Sequence, residues 1–354
     1  MNFISDNTAG ASAPVMAALM AAQDGVASAY GGDEWTRRVE ALFADIFERD
    51  VAVFLVASGT AANALALASL TRPWGAVITH EESHVADDEC GAPEFFSDGA
   101  KLIGLHGAGN KLSPESVAQA LARFREGALH QVQPQAVSIT QATECGTIYT
   151  PAEVAALKAA IAGRGLRLHM DGARFANALV TLGCSPAEIT WRAGVDVLSF
   201  GGTKNGAWAA EAVIFFDPAL AGEMRWRRKR AGHTLSKGRF LGAQFEGLLR
   251  DGHWLGLARH ANAMATRLAE AVTAGAICRL AWPCEANEVF LVLSGPLQAA
   301  LKQAGVAYLP WSDRALAEGR GLAPDEVVGR FVMSFSTRAA EIDRLIGVLE
   351  PARR

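Results

Sequence analysis

Short apolar runs punctuate the first two thirds of the chain and alternate with longer stretches whose apolar residues recur at helical spacing. The runs at 51–56, 75–79, 101–105, 134–140, 166–171 and 195–200 read as buried strands, and 212–216 reads as one more. Stretches beginning at Pro14, and at 34–45, 114–127 and 151–163, read as helices, the last with Val154, Leu157 and Ile161 on one face. Strand and helix in alternation imply right-handed crossovers, so the expected fold is α/β with a doubly wound, mainly parallel sheet. After Asp217-Pro218 the rhythm changes to helices, a glycine-bounded loop at 232–238 and a long helical stretch from Arg239. Strands return near 289–293 and 329–335. The expected division is an N-terminal arm and large domain over 1–245 and a smaller C-terminal α/β domain over 246–354.

Composition narrows the function classes. With 354 residues, half of them apolar, a large core is within reach, and a net charge of −4 creates no global attraction for nucleic acid or membrane. The basic run Arg225-Trp226-Arg227-Arg228-Lys229-Arg230 reads as a helix face or subunit edge, because no continuous basic stripe with exposed aromatics surrounds it. Five cysteines without a Cys-x-x-Cys pair argue against a disulfide framework and a structural zinc site, and fit a reducing cytoplasm. The first residues lack a basic and apolar leader pattern, and no run of about 20 apolar residues occurs, so secretion and membrane spanning are not expected.

Two segments carry candidate chemistry. In Phe200-Gly201-Gly202-Thr203-Lys204-Asn205-Gly206 a lone lysine sits among small residues between two strand-like runs. Desolvation favours the neutral amine that a Schiff-base lysine requires, although a solvated turn lysine is the favoured reading of Lys204 when it is taken alone. In 166–174 an alternating strand ends at Asp171, followed by Gly172, Ala173 and Arg174, which aims a carboxylate into the crevice where open α/β sheets bind ligands. A helix cap is the alternative for Asp171. Pyridoxal phosphate needs both groups, a lysine for the imine and an acid on the pyridine nitrogen.

Other segments fit around that pair. Ser58, Gly59 and Thr60 open an alanine-rich helix directly after a strand, where free N–H groups and the helix dipole receive a phosphate; plain N-capping would look the same in sequence. His84 lies in a stretch dense in titratable groups and suits stacking on a flat ring or handling a proton. His80, His84 and Glu89 cluster there without the His-Glu-x-x-His order, so no metal site is assigned. Tyr30 is left without a structural role in its glycine turn.

Taken in order, several motifs resemble the low-specificity L-threonine aldolases, pyridoxal phosphate enzymes of the type I, aspartate-aminotransferase-like fold. They are Ser5-Asp6-Asn7-Thr8, Tyr30-Gly31-Gly32-Asp33, Ser58 through Asn63, Ser83-His84 with Glu89 and Gly91, His169 through Arg174, Lys204 and Arg330-Phe331-Val332. The resemblance runs over most of the chain and implies a large domain with a mainly parallel seven-stranded sheet plus a small C-terminal domain. It implies that Lys204 carries the cofactor, Asp171 pairs with the ring nitrogen and His84 stacks on the ring. It assigns the phosphate to Gly59 and Thr60, helped by Arg239 or Lys237 of a neighbouring subunit in a homodimer or homotetramer. Ser5, Arg174 and Arg330 would take the substrate carboxylate, with Tyr30 at the substrate as well, and Arg338 competes with Arg330 for that role.

One departure stands out. Where many relatives carry Thr-His-Asn-Gly, this chain has Thr143-Glu144-Cys145-Gly146, so either His84 with a water or Glu144 handles the proton. The implied reaction is cleavage of L-threonine, L-allo-threonine and other L-β-hydroxy-α-amino acids to glycine and an aldehyde. Another pyridoxal phosphate lyase reaction, on phenylserine or by β-elimination, is the alternative.

Overall fold

The strands β1 (Ala52–Val56), β2 (Gly75–His80), β3 (Lys101–Leu105), β4 (Gln133–Thr140), β5 (Arg167–Gly172), β6 (Val197–Gly201) and β7 (Glu211–Phe215) form one sheet in the order β1-β7-β6-β5-β4-β2-β3. This is a computed structural model and it describes residues 1–317 and 319–353. Neighbours from β3 through β6 pair in parallel, while β7 is antiparallel to both β6 and β1. The reason lies in the connection, since residues 202–210 between β6 and β7 hold a single 3₁₀ turn, Thr203–Asn205, and a parallel return needs a longer crossover. β2, β6 and β7 are buried along their whole length, which is why each reads as a continuous apolar run rather than an alternation.

Register brings the functional ends of the strands together. Thr140 pairs with Asp171, and Asp171 pairs with Ser199, so these three side chains stand in one row at the carboxyl edge of β4, β5 and β6. The row is held from behind by aromatic packing. Helix Glu34–Phe47, capped by Asp33, buries Val39, Phe43 and Phe47, and Phe43 meets Phe200 of β6 edge-on at 5.2 Å between ring centres. Helix Gly59–Leu70 buries every residue from Ala61 to Ala68, small side chains that let it lie close against the sheet.

A second, antiparallel sheet contains β8 (Glu288–Leu293), β9 (Leu309–Trp311) and β10 (Val327–Val332) in the order β8-β10-β9. Its core gathers Leu268, Val289, Leu291, Phe331, Ile342 and Leu345 together with Phe3 from the start of the chain. The arm is tied there by backbone bonds, Phe3 to Ala307 O at 2.8 Å and Val332 to Phe3 O at 2.9 Å. Helix His253–Ala274 serves both cores, with Trp254 and Ala258 in the first and Ala265 and Leu268 in the second. The arm therefore delivers residues 5–7 to the seam between the lobes. Among the described residues, no helix is long and apolar enough to cross a membrane. All five cysteines are free thiols.

Candidate active site

A cavity of about 600 Å³ opens at the carboxyl edge of the parallel strands, between the lobes. Its floor is the row Thr140, Asp171 and Ser199, and Lys204 stands on the 3₁₀ turn beyond β6. Glycines make this turn possible, because a Cβ on Gly202 would stand 2.4 Å from Ala210 O and one on Gly201 would stand 2.5 Å from Ala173 O. Lys204 is half-buried and makes no hydrogen bond or ion pair among the described residues.

Asp171 is fixed through both oxygens. Oδ1 accepts from the Ala173 backbone at 2.9 Å and Oδ2 from Asn63 Nδ2 at 2.7 Å. The same Asn63 amide donates to Glu89 Oε1 at 2.8 Å, and Glu89 Oε1 meets His84 Nδ1 at 2.8 Å. His84, Asn63, Glu89 and Asp171 thus form a continuous polar chain along one wall. The bond to Glu89 raises the pKa of His84 against the opposing effect of burial, which favours the protonated ring beside that carboxylate. Burial raises the Glu89 carboxyl in turn, and the bonds from His84 and Asn63 only partly offset it. Polar atoms of His84, Glu89 and Asp171 all lie within 4.8 Å of one another. His80 faces elsewhere, bonded to Gly107 O at 3.0 Å and to Asn110 at 3.1 Å.

Ser58 caps helix Gly59–Leu70 by accepting from the Ala61 backbone at 3.3 Å, so the capping role holds. A Cβ on Gly59 would meet no protein atom within 4 Å, so the space ahead of this helix N-terminus is open, and Ser58, Gly59 and Thr60 all border the cavity. An anion there would face free N–H groups and the positive end of the dipole.

Glu144 lies beside His84 and Thr140. Oε1 accepts from the His84 backbone at 2.8 Å and from the Thr140 hydroxyl at 2.9 Å, while Oε2 is shielded and unpartnered. Burial pushes this carboxyl up to about 7, against the lowering effect of those bonds.

The far end carries the arginines. Arg174 is buried and grips Asp6 through Nε at 2.9 Å and Nη2 at 3.2 Å, and its Nη1 lies 3.3 Å from Glu288. Burial opposes the charge on both Asp6 and Arg174, yet their mutual attraction outweighs it, lowering the acid and raising the base. Arg330 stacks on Trp311 at 4.2 Å and reaches Ile4 O at 3.3 Å. Ser5 and Arg330 both border the cavity, whereas Arg338 caps the last helix and pairs with Glu341.

One chain thus brings Ser5, Ser58, Gly59, Thr60, His84, Glu144, Asp171, Arg174, Lys204 and Arg330 to a single cavity. It does not bring Tyr30 or Arg239 there. Tyr30 is 56% exposed beside Lys229, and Arg239 bonds Gly25 O at 3.2 Å, on a helix whose Gly242 packs against the backbone of Trp35 and Thr36. Lys237 is exposed as well. In the basic run, Arg227 pairs with Glu223 and Arg228 lies over Phe54, so part of it serves the chain's own packing.

Sequence reading gave no role to Asp6, Asn63, Glu288 or Trp311. A signal existed for two of them, an amide within an otherwise apolar buried helix and a carboxylate opening an apolar strand.

Comparisons with known proteins follow this geometry. A family model described as Beta-eliminating lyase matches residues 2–294. A low specificity L-threonine aldolase from Pseudomonas sp. (strain NCIMB 10558) is 45% identical over 97% of this chain and 95% of its own length. Another from Pseudomonas aeruginosa is 48% identical over 86% of this chain and 87% of its own. The solved structure of a Leishmania major threonine aldolase superposes with a TM-score of 0.91 at 30% identity, covering 100% of this chain and 99% of that one. A Sphingomonas wittichii serine palmitoyltransferase shares the fold with a TM-score of 0.71 at 14% identity, covering 99% of this chain and 86% of that one.

Proposed function

We infer that this protein, whose chain belongs to the beta-eliminating lyase family and within it to the low-specificity L-threonine aldolases, is a carbon–carbon lyase that cleaves L-threonine to glycine and acetaldehyde. L-allo-threonine and other L-β-hydroxy-α-amino acids belong to the proposed substrate range. The observation that carries the reading is the placement of unpartnered Lys204 and doubly anchored Asp171 in one cavity with an open helix N-terminus and two arginines.

Pyridoxal 5'-phosphate fits these residues. Lys204 would hold it covalently, Ser58, Gly59 and Thr60 would take its phosphate, Asp171 its ring nitrogen and His84 one ring face. When bound, the group supplies a sink for the electron pair released as Cα–Cβ breaks. The chain's own residues do the rest. Asn63 and the Ala173 backbone keep Asp171 oriented with its charge toward the cavity. Ser5, Arg174 and Arg330 hold the substrate carboxylate, which turns the bond to be broken into the productive direction.

Cleavage also needs a base for the β-hydroxyl proton. The Glu144 carboxyl is suited to receive it, because the residue borders the cavity and its carboxyl sits at about 7, where it is ionised for part of the population near neutral pH. The hydroxyl proton passes to the Glu144 carboxylate as Cα–Cβ breaks and the C–O bond becomes the aldehyde carbonyl, and a proton returned from the Glu144 carboxylic acid or from water replaces Cβ on Cα to give glycine. A homodimer or homotetramer completes the proposal, with Tyr30 and Arg239 serving a neighbouring copy's cavity. A cytoplasmic setting is supported by five thiols without a disulfide.

The test is stoichiometry. Wild-type enzyme given L-threonine or L-allo-threonine should release glycine and acetaldehyde in equal amounts. Ammonia and a keto acid in their place would move the reading to β-elimination, and cleavage of phenylserine alone would move it to bulkier substrates.

A further inference from the structure

Behind Arg174 and Arg330, out of the cavity itself, lies a second carboxylate beside that of Asp6. Glu288 begins β8, its side chain is wholly shielded from solvent, and among the described residues neither of its oxygens has a hydrogen-bond partner. It stands 3.3 Å from Arg174 Nη1 and 3.8 Å from Arg330 Nη1. Arg330 Nε is likewise buried and unpartnered. Glu288 has little room to turn away, because Gly146 lies against it and a Cβ there would stand 3.4 Å from that of Glu288. Asn287, the residue before it, donates to Asp6 at 3.1 Å and fixes the other acid of the group.

The charges balance. Arg174 and Arg330 face Asp6 and Glu288, so the pair meant to hold a carboxylate has no surplus positive charge. Asp6 uses its oxygens in close bonds to Arg174, whereas Glu288 attracts both guanidinium groups without satisfying either.

We propose that Glu288 tunes carboxylate affinity, as a built-in counter-anion that draws the Arg174 and Arg330 guanidinium groups back from the cavity and weakens their grip on the amino acid's carboxylate. The proposal rests on the reading of the cavity as an amino-acid site. Its chemical sense follows from the reaction, in which substrate and product glycine carry the same carboxylate. Binding that group more tightly would stabilise bound substrate, transition state and product alike, and glycine would leave more slowly with no gain in the bond-breaking step. Glu288 is a positioning residue in this account, since it acts only through the two arginines.

The experiment is calorimetric titration of the holoenzyme with glycine and with glycinamide, which lacks the carboxylate charge. Glu288→Gln, which keeps the shape, and Glu288→Met should each bind glycine on the order of tenfold more tightly than wild type, with glycinamide affinity changed less than about twofold. Glu288→Asp, which keeps the charge, should stay close to wild type. Unchanged or weaker glycine binding in the two neutral variants, or an equal shift for glycinamide, overturns the proposal. So does failure of both neutral variants to fold, which would assign Glu288 to stability. A wild type that binds no glycine removes the amino-acid site and the proposal together, and that outcome is separate from a wild type that binds glycine while the variants do not differ.

Discussion

Around Asp171 the polar atoms are bonded at 2.7 to 2.9 Å, whereas around Glu288 the charges face one another at 3.3 and 3.8 Å with no hydrogen bond to its carboxylate. Asp171 borders the cavity and Glu288 lies behind two arginines that border it, and both are buried, so solvent does not account for the contrast. The Asp171 end is built on strand ends and a helix packed against them, elements whose positions the sheet sets. The Glu288 end is assembled from the N-terminal arm, Arg174 two residues beyond β5, and two strands of the second sheet. A region that must present a fixed charge to a developing one gains from rigidity, because it needs no rearrangement at the moment of reaction. A region that must accept and release a carboxylate gains from bonds left incomplete.

That contrast breaks if the two ends respond alike to substitution. The largest effect is expected for Asp171→Asn, which keeps the shape and removes the charge. Its kcat should fall on the order of a thousandfold with little change in KM, as for the loss of a preorganised electrostatic group. Next comes Glu144→Gln, with a fall in kcat of about a hundredfold. Here pH sharpens the comparison. The carboxyl lies at about 7 and accepts a proton only when ionised, so wild-type kcat should rise with pH through that value. The rising limb should vanish in Glu144→Gln; steady-state rates across the range would show it, and an unchanged limb would exclude Glu144 as the acceptor. The smallest effect is that of Glu288→Gln, confined to carboxylate binding.

Legibility followed the same division. Strands that end in chemistry were readable, because a buried parallel strand is a short apolar run and the residue just past it is conspicuous. Asp171 stands near the end of β5, and Ser58 and Lys204 stand a few residues beyond the ends of β1 and β6. The antiparallel placing of β7 follows from the short link at 202–210. Asn63 was visible only as part of a motif, since its role depends on a helix laid across the sheet. Glu288 and Asp6 could not be read as neighbours, because 282 positions separate them in the chain (288 − 6) and only the docking of the arm joins them to Arg174. Trp311 sits in a three-residue strand too short to leave a periodic signal. Arg330, which the sequence favoured over its competitor Arg338, lies on β10 and borders the cavity, whereas Arg338 stands at a helix cap.

The central claim is that Lys204 carries the cofactor, and peptide mapping after borohydride reduction of the yellow holoenzyme tests it most directly. The account predicts one pyridoxyl-modified peptide, containing Lys204, with no modification in Lys204→Ala. Modification at another lysine, or a protein that takes up no pyridoxal phosphate, would contradict it.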